Sequence, residues 1–218
     1  MPTPKPPRKR IVVSGLLGAL AGLIIFGPTG FLVGYRTAPA PAPKVSASPT
    51  ATLPAFERAQ VGLNKPKFSG ELVPIAEPWL PYLTNCSRSG DKGGPSLNEG
   101  EDTRVFCRYA NASVYFVEYK SIDARDKART KVLAQNIDAK QLTPGVAEPG
   151  TKKTTSGKVE GNYIEYAFRN PGDSTNRVVC GTWWDDADSP VAAYIIAFWT
   201  DGIGESWEPL RDVWRRYS

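Results

Sequence analysis

The chain of 218 residues contains no histidine, a single methionine and three cysteines. Without histidine it lacks the commonest general base and the commonest metal ligand, which removes histidine-based acid–base catalysis and most zinc chemistry. Cys86, Cys107 and Cys180 form no Cys-x-x-Cys pair, so zinc-ribbon and thioredoxin-type arrangements have no ligands to draw on. Acidic residues are absent from residues 1–44, where Lys5, Arg8, Lys9, Arg10, Arg36 and Lys44 stand unopposed. The other 21 basic residues face 22 acidic ones, so the net charge of +5 belongs to the N-terminal region and not to the rest. A basic face on the folded part is not expected, and with it goes a nucleic-acid partner. No motif implies a metal or a cofactor, and no residue earns a catalytic assignment.

What is present begins with a long apolar run. Residues 11–35, IVVSGLLGALAGLIIFGPTGFLVGY, carry no charge. About 20 residues at about 1.5 Å rise span the hydrocarbon core, so this stretch predicts one transmembrane helix. Arg8, Lys9 and Arg10 precede it directly and only Arg36 follows, which puts residues 1–10 in the cytoplasm as a basic tail and the rest outside. A cleaved signal peptide would have a shorter apolar core and a better cleavage site than Ala38-Pro39-Ala40-Pro41. The expected localisation is therefore the plasma membrane, single-pass. Ser14, Gly18 and Gly22 recur at spacing four, which lets two helices approach closely and offers a homodimer contact through Gly18 and Gly22. The alternative is the ordinary abundance of glycine in membrane helices.

Residues 36–59 follow as a Pro/Ala-rich stalk, extended and without a core of its own. A helical turn begins at Phe56, and residues 60–218 form one domain, which holds all six tryptophans and eight of nine tyrosines. Three prolines break residues 70–83 into a short helix against the core, and residues 87–102 read as a polar, Gly-rich loop. Alternation in 103–110 and 113–120 predicts an antiparallel hairpin. Residues 121–138 read as a helix capped by Ser121, with Ile122, Arg125, Ala128, Arg129, Val132, Leu133, Asn136 and Ile137 on one stripe. Residues 143–157 are a second loop. Strands follow at 158–170, 177–185 and 191–200, then an amphipathic helix over 204–218 with Trp207, Leu210, Val213 and Trp214 inward. Short links make the sheet antiparallel. The expected class is α+β, about five strands with helices on one face.

Three groups of side chains bear on chemistry. Outside the membrane a disulfide is expected. Cys86–Cys107 is favoured because it pins the intervening loop, with Cys107–Cys180 on paired strands as the alternative. The unpaired cysteine then reads as a small buried hydrophobe, since no histidine is there to activate it. Asp185, Asp186 and Asp188 form an acidic turn that could bind a cation or supply a carboxylate pair, but reads first as a solvated turn. Adjacent Trp183 and Trp184 on a strand point to opposite faces, so one of them is expected to be exposed. Trp183, Trp184, Asp185 and Asp186 are thus the candidate binding surface, and the wider aromatic set, with Trp199, Trp207, Trp214, Tyr163, Tyr166 and Tyr194, reads first as core packing and otherwise as a platform for a sugar ring or an apolar ligand.

The run Cys107-Arg-Tyr, VYFVEY, Ser121 with DARDKAR, RVVCGTWWDD and WEPLRDVWRRY resembles an extracytoplasmic α+β domain of actinobacterial single-pass membrane proteins, found also at the C-terminal end of some eukaryotic-like Ser/Thr protein kinases. The resemblance covers most of residues 60–218. It implies a sensor-like or envelope-binding role, with an envelope protein or cell-wall component as partner. Only ten residues precede the apolar run, and no kinase loop motif occurs, so no kinase domain is expected. The alternatives are a His-free envelope enzyme using carboxylates, and a structural scaffold dimerising through its membrane helix.

Overall fold

The structure, a computed structural model, describes residues 53–218. The expected tail 1–10, the membrane helix 11–35 with Gly18 and Gly22, and nearly all of the stalk lie outside the described residues. Among the described residues no helix is long and apolar enough to cross a membrane.

Seven strands form one antiparallel sheet: β1 (Thr84–Arg88), β2 (Glu101–Tyr109), β3 (Ala112–Tyr119), β4 (Gly150–Lys153), β5 (Glu160–Arg169), β6 (Val178–Asp185) and β7 (Val191–Phe198). Their order is β1-β2-β3-β7-β6-β5-β4. The five expected strands are β2, β3, β5, β6 and β7. The two additional ones are the sheet edges, and both fall in stretches that read as loops. β1 is polar, and β4 (GTKK) is exposed along its whole length, so neither carries the alternation that marks a half-buried strand. Short, polar edges of this kind, with Arg88 on one and Lys152 and Lys153 on the other, discourage pairing with another chain.

Helices cover both faces of the sheet, where one covered face was expected. The long helix α3 (Ile122–Leu142) packs through Ala124, Ala128 and Val132 on the face made by Val117, Ile164, Tyr166, Trp183 and Ala192. The opposite face, with Phe116, Tyr163, Trp184 and Ile195, is covered by Leu72 and Ile75 of α2 (Leu72–Ala76), Trp79 of the following 3-10 turn, and Leu210 and Trp214 of α5 (Glu208–Tyr217). A short α4 (Trp199–Ile203) ends at Gly204 in the left-handed region, where a strand was expected to continue. The two covers explain β6: as a central strand buried on both sides it reads VVCGTWW without alternation. Trp184 stacks on Trp79 at 5.4 Å, and Trp214 meets Tyr163 edge-on at 4.7 Å.

The folded domain begins earlier than residue 60. Helix α1 (Ala55–Asn64) belongs to it, because the buried Asn64 amide donates to the Leu80 and Leu83 carbonyls at 2.8 Å each. Ser121 caps α3 as its sequence predicts, accepting from the Ala124 amide at 3.2 Å. The buried stripe of α3 differs from the expected one. Arg125, Val132, Asn136 and Ala139 are buried, whereas Ile122, Leu133 and Ile137 are exposed, Ile137 by 67%.

The disulfide is Cys86–Cys107, joining the edge strand β1 to β2 across 21 positions, and Cys180 is free and buried. Replacing both Cys86 and Cys107 by Ala is expected to lower unfolding free energy by about 3 kcal/mol, the loop-closure value for this separation. Urea titration with and without reductant checks it: reductant should weaken the wild type by a similar amount and leave the variant unchanged.

Candidate functional site

Between α3 and the sheet lies a cleft of about 360 Å³. Its floor is aromatic. Tyr115 and Tyr119 come from β3, Tyr194 and Ile196 from β7, Trp183 from β6, and Tyr166 and Phe168 from β5. Strand periodicity puts Tyr115 and Tyr119 on one face, and Tyr166 and Phe168 likewise, while antiparallel register brings Tyr115, Tyr194 and Trp183 into one row across three strands. The row is stacked: Tyr115 and Tyr194 have ring centres 4.8 Å apart, and Tyr194 and Trp183 6.0 Å apart with planes 5° from parallel. Tyr166 lies against its register partner Gly181. A Cβ there would sit 2.7 Å from the Tyr166 ring and 2.8 Å from the Ile195 carbonyl, so only glycine allows the ring to lie this low. Across from the rings, the helix offers the small Ala128 beside Val132 and Gln135, which leaves the space open.

Charge sits at the rim. Glu101 is buried and accepts from the Asn98 amide at 2.8 Å and from Arg104 at 2.5 Å. Arg104 stands 5.6 Å from the centre of the Tyr115 ring, and its Nε is buried with no hydrogen-bond partner. Burial opposes the Arg104 cation, but the hydrogen bond to Glu101 together with the charge attraction of its neighbours outweighs it, and its pKa is raised. Glu99 and Lys131 complete the lining as exposed groups. Burial is the first cause that pushes the Tyr119, Tyr166 and Tyr194 hydroxyls above the ordinary tyrosine value, so all three stay neutral far into the alkaline range.

No protein-family model, curated protein or solved structure matches this chain. The site therefore stands on its own geometry.

Of the four residues expected to form a binding surface, only Trp183 lines the cleft. Neither tryptophan is exposed as expected: both are 2% accessible, because each face of β6 has its own helical cover. Trp184 belongs to the opposite core. Asp185 is buried too, and acts as an anchor for α3. It accepts from Arg129 at 2.9 Å, from the Asn162 amide at 2.7 Å and, more weakly, from Trp183 Nε1 at 3.4 Å. The buried Arg125 donates to the carbonyls of Asp186 and Ser189. Asp186 accepts from the Ser189 hydroxyl at 2.8 Å and shapes the turn, with Asp188 exposed beside it. The acidic turn is thus a latch between the helix and β6–β7, and not the solvated loop its composition indicates. Among the described residues no group of three or more acidic or thiol side chains is placed to hold a metal.

Tyr115, Tyr119, Phe168, Glu101 and Arg104 were not singled out in the sequence. The signal was there in part. VYFVEY places Tyr115 and Tyr119 on one face by period two, and YAF does the same for Tyr166 and Phe168.

Buried acids also make the fold alkali-sensitive. Burial raises the Cys180 thiol to about 12 and, with the Tyr217 hydroxyl, the Tyr109 hydroxyl to about 12; Tyr119, Tyr163, Tyr166 and Tyr194 are raised as well. Each binds its proton more tightly folded than unfolded, so its contribution is complete below the ordinary values of 9.0 and 10.0 and is lost as pH climbs toward the folded ones. Stability is expected to fall from about pH 9 upward, with the buried tyrosines' share of the tyrosinate absorbance appearing in one step together with loss of tryptophan signal. Ionisation of every tyrosine ahead of unfolding would count against the burial argument.

Proposed function

We propose that the chain is a membrane-anchored, extracytoplasmic binding or sensor-like domain of a bacterial, specifically actinobacterial, envelope, and that it takes a small ligand into the aromatic cleft under α3. The cleft carries this proposal: a concave space with rings on its floor and a few polar groups at its rim is the form that small-molecule sites take. The anchor rests on the apolar run 11–35 and its basic flank. The outside location gains support from the disulfide, since such bonds persist in oxidising compartments. The partner expected of this architecture is a wall component or another envelope molecule.

The test uses the full-length chain in detergent, exposed to size-fractionated small molecules from the envelope of an actinobacterium. Tryptophan fluorescence and melting temperature are followed for the wild type and for Ala128→Phe, which fills the cleft from the helix side. At least one fraction should shift both signals in the wild type and neither in the variant. If no fraction acts, or if Ala128→Phe responds like the wild type, the cleft is not the binding site.

A further inference from the structure

Resting on the cleft being a ligand site, we infer that its ligand is an uncharged saccharide of one or two rings. The stacking of the floor is the first reason. Tyr115, Tyr194 and Trp183 have their faces against one another, and Tyr166 and Phe168 stack with planes 5° apart. Side chains on a sheet stand away from it, so the half-buried Tyr115 and Tyr194, whose faces cover each other, present edges and hydroxyl groups to what lies above, while Tyr166 lies down over Gly181. A flat aromatic ligand would want free ring faces to lie on. This floor offers a field of hydroxyls set in an apolar surround.

The second reason is the state of those hydroxyls. Four tyrosines line the cleft, Tyr115, Tyr119, Tyr166 and Tyr194, and among the described residues none of their hydroxyls makes a hydrogen bond to the protein. Tyr115 and Tyr194 are half-buried, while Tyr119 and Tyr166 are buried beneath the cleft. A phenolic hydroxyl both donates and accepts, and Gln135 on the helix side does the same with its amide. The complement to such a set is a saturated frame carrying alternating donors and acceptors around its edge, which describes a sugar ring.

Charge and size narrow the class. Glu99 and Glu101 balance Arg104 and Lys131 along the lining, so the site holds no net positive charge to offer a phosphate or a carboxylate. About 360 Å³ is near the lower end of small-molecule sites.

The experiment takes the full-length chain in a detergent without a sugar headgroup. Glucose, N-acetylglucosamine and N-acetylglucosamine disaccharide are titrated beside naphthoate, a flat aromatic acid, with tryptophan fluorescence as the signal. The double variant Tyr115→Phe/Tyr194→Phe keeps the rings and removes the two hydroxyls of the half-buried tyrosines. At least one saccharide should bind the wild type and bind this variant about tenfold or more weakly, the scale of two lost hydrogen bonds. Naphthoate should not bind. Pelleting with insoluble wall glycan tells the sources apart: co-sedimentation that the soluble sugar displaces points to the wall, and its absence points to a free sugar. Naphthoate binding equally to wild type and variant, with no saccharide effect, would overturn the saccharide while leaving the cleft as a site. Saccharide binding unchanged by the double variant would place the sugar elsewhere and overturn the inference as well.

Discussion

Arg211→Leu is expected to destabilise the domain by about 3–5 kcal/mol, the cost of leaving one partner of a buried ion pair uncompensated. Glu165 on β5 is 1% accessible. Arg211 of α5 donates to both of its carboxylate oxygens, at 2.7 and 2.8 Å, and Tyr163 and the Ala147 amide donate at 3.0 and 2.7 Å. The same guanidinium reaches the Gly145 carbonyl at 2.7 Å, so it ties the C-terminal helix, the loop after α3 and the sheet together. The hydrogen bond to Glu165 raises the Arg211 pKa further above its ordinary range. Loss of the cation strands the carboxylate. Replacing both residues, Glu165→Leu with Arg211→Leu, should cost less than Arg211→Leu alone, because no charge is then left buried. Urea unfolding of the three proteins decides it, and a single variant within about 1 kcal/mol of wild type would show that the carboxylate finds solvent or another partner.

The second large effect is at the acidic turn. Asp185→Ala is expected to cost about 3 kcal/mol: the Asn162 amide loses its acceptor and Arg129 loses one of its two carboxylates, keeping Asp126 at 2.8 Å. Asp188→Ala, at an exposed position, should stay within about 0.5 kcal/mol. Asp186→Ala should fall between them, since it loses the hydrogen bonds from the Ser189 hydroxyl and the Asp188 amide. Thermal unfolding of the three variants reads the ranking directly, and equal effects at 185 and 188 would sink the latch. Asp185 also holds α3 against the sheet and accepts from the Trp183 indole, so its loss should loosen one wall of the cleft and weaken any ligand there. Removing the acidic turn wholesale therefore cannot test for carboxylate catalysis, because Asp185 would abolish function through structure.

The sequence made some of this legible. Alternation located the hairpin β2–β3, and Ser121 located the start of α3, because those signals are local. The face that α3 buries was legible in part, since Arg125, Val132 and Asn136 fall on the expected stripe, but which of its members turn inward was not. Ile122, Leu133 and Ile137 look like core and are exposed, while Arg125 and Asn136 look like surface and are buried. Their partners are backbone carbonyls of the 186–189 turn and of Glu165, far away in sequence, and no hydropathy pattern contains them. Trp183 and Trp184 were correctly set on opposite faces, yet exposure of either depended on whether a helix lay above it. The aromatic row could be read strand by strand, as period two. Its assembly needed the register of β3, β7 and β6, which only the tertiary structure supplies.

That register has a consequence for how the domain comes together in time. The sheet consists of two stretches, β1–β2–β3 within 84–119 and β4–β7 within 150–198, and each pairs only with near neighbours in the chain. The single join between them is β3 with β7, where Ser113 meets Ile196. Local hairpins form quickly, and a pairing across so long an intervening chain carries a larger closure entropy, so the join is expected to be the slow step. The cleft straddles it, with Tyr115 and Tyr119 on one side and Tyr194, Trp183 and Tyr166 on the other. A molecule held there meets both halves only after they have joined. Its occupancy would lengthen the lifetime of the native state by slowing unfolding, and leave the rate of folding as it was.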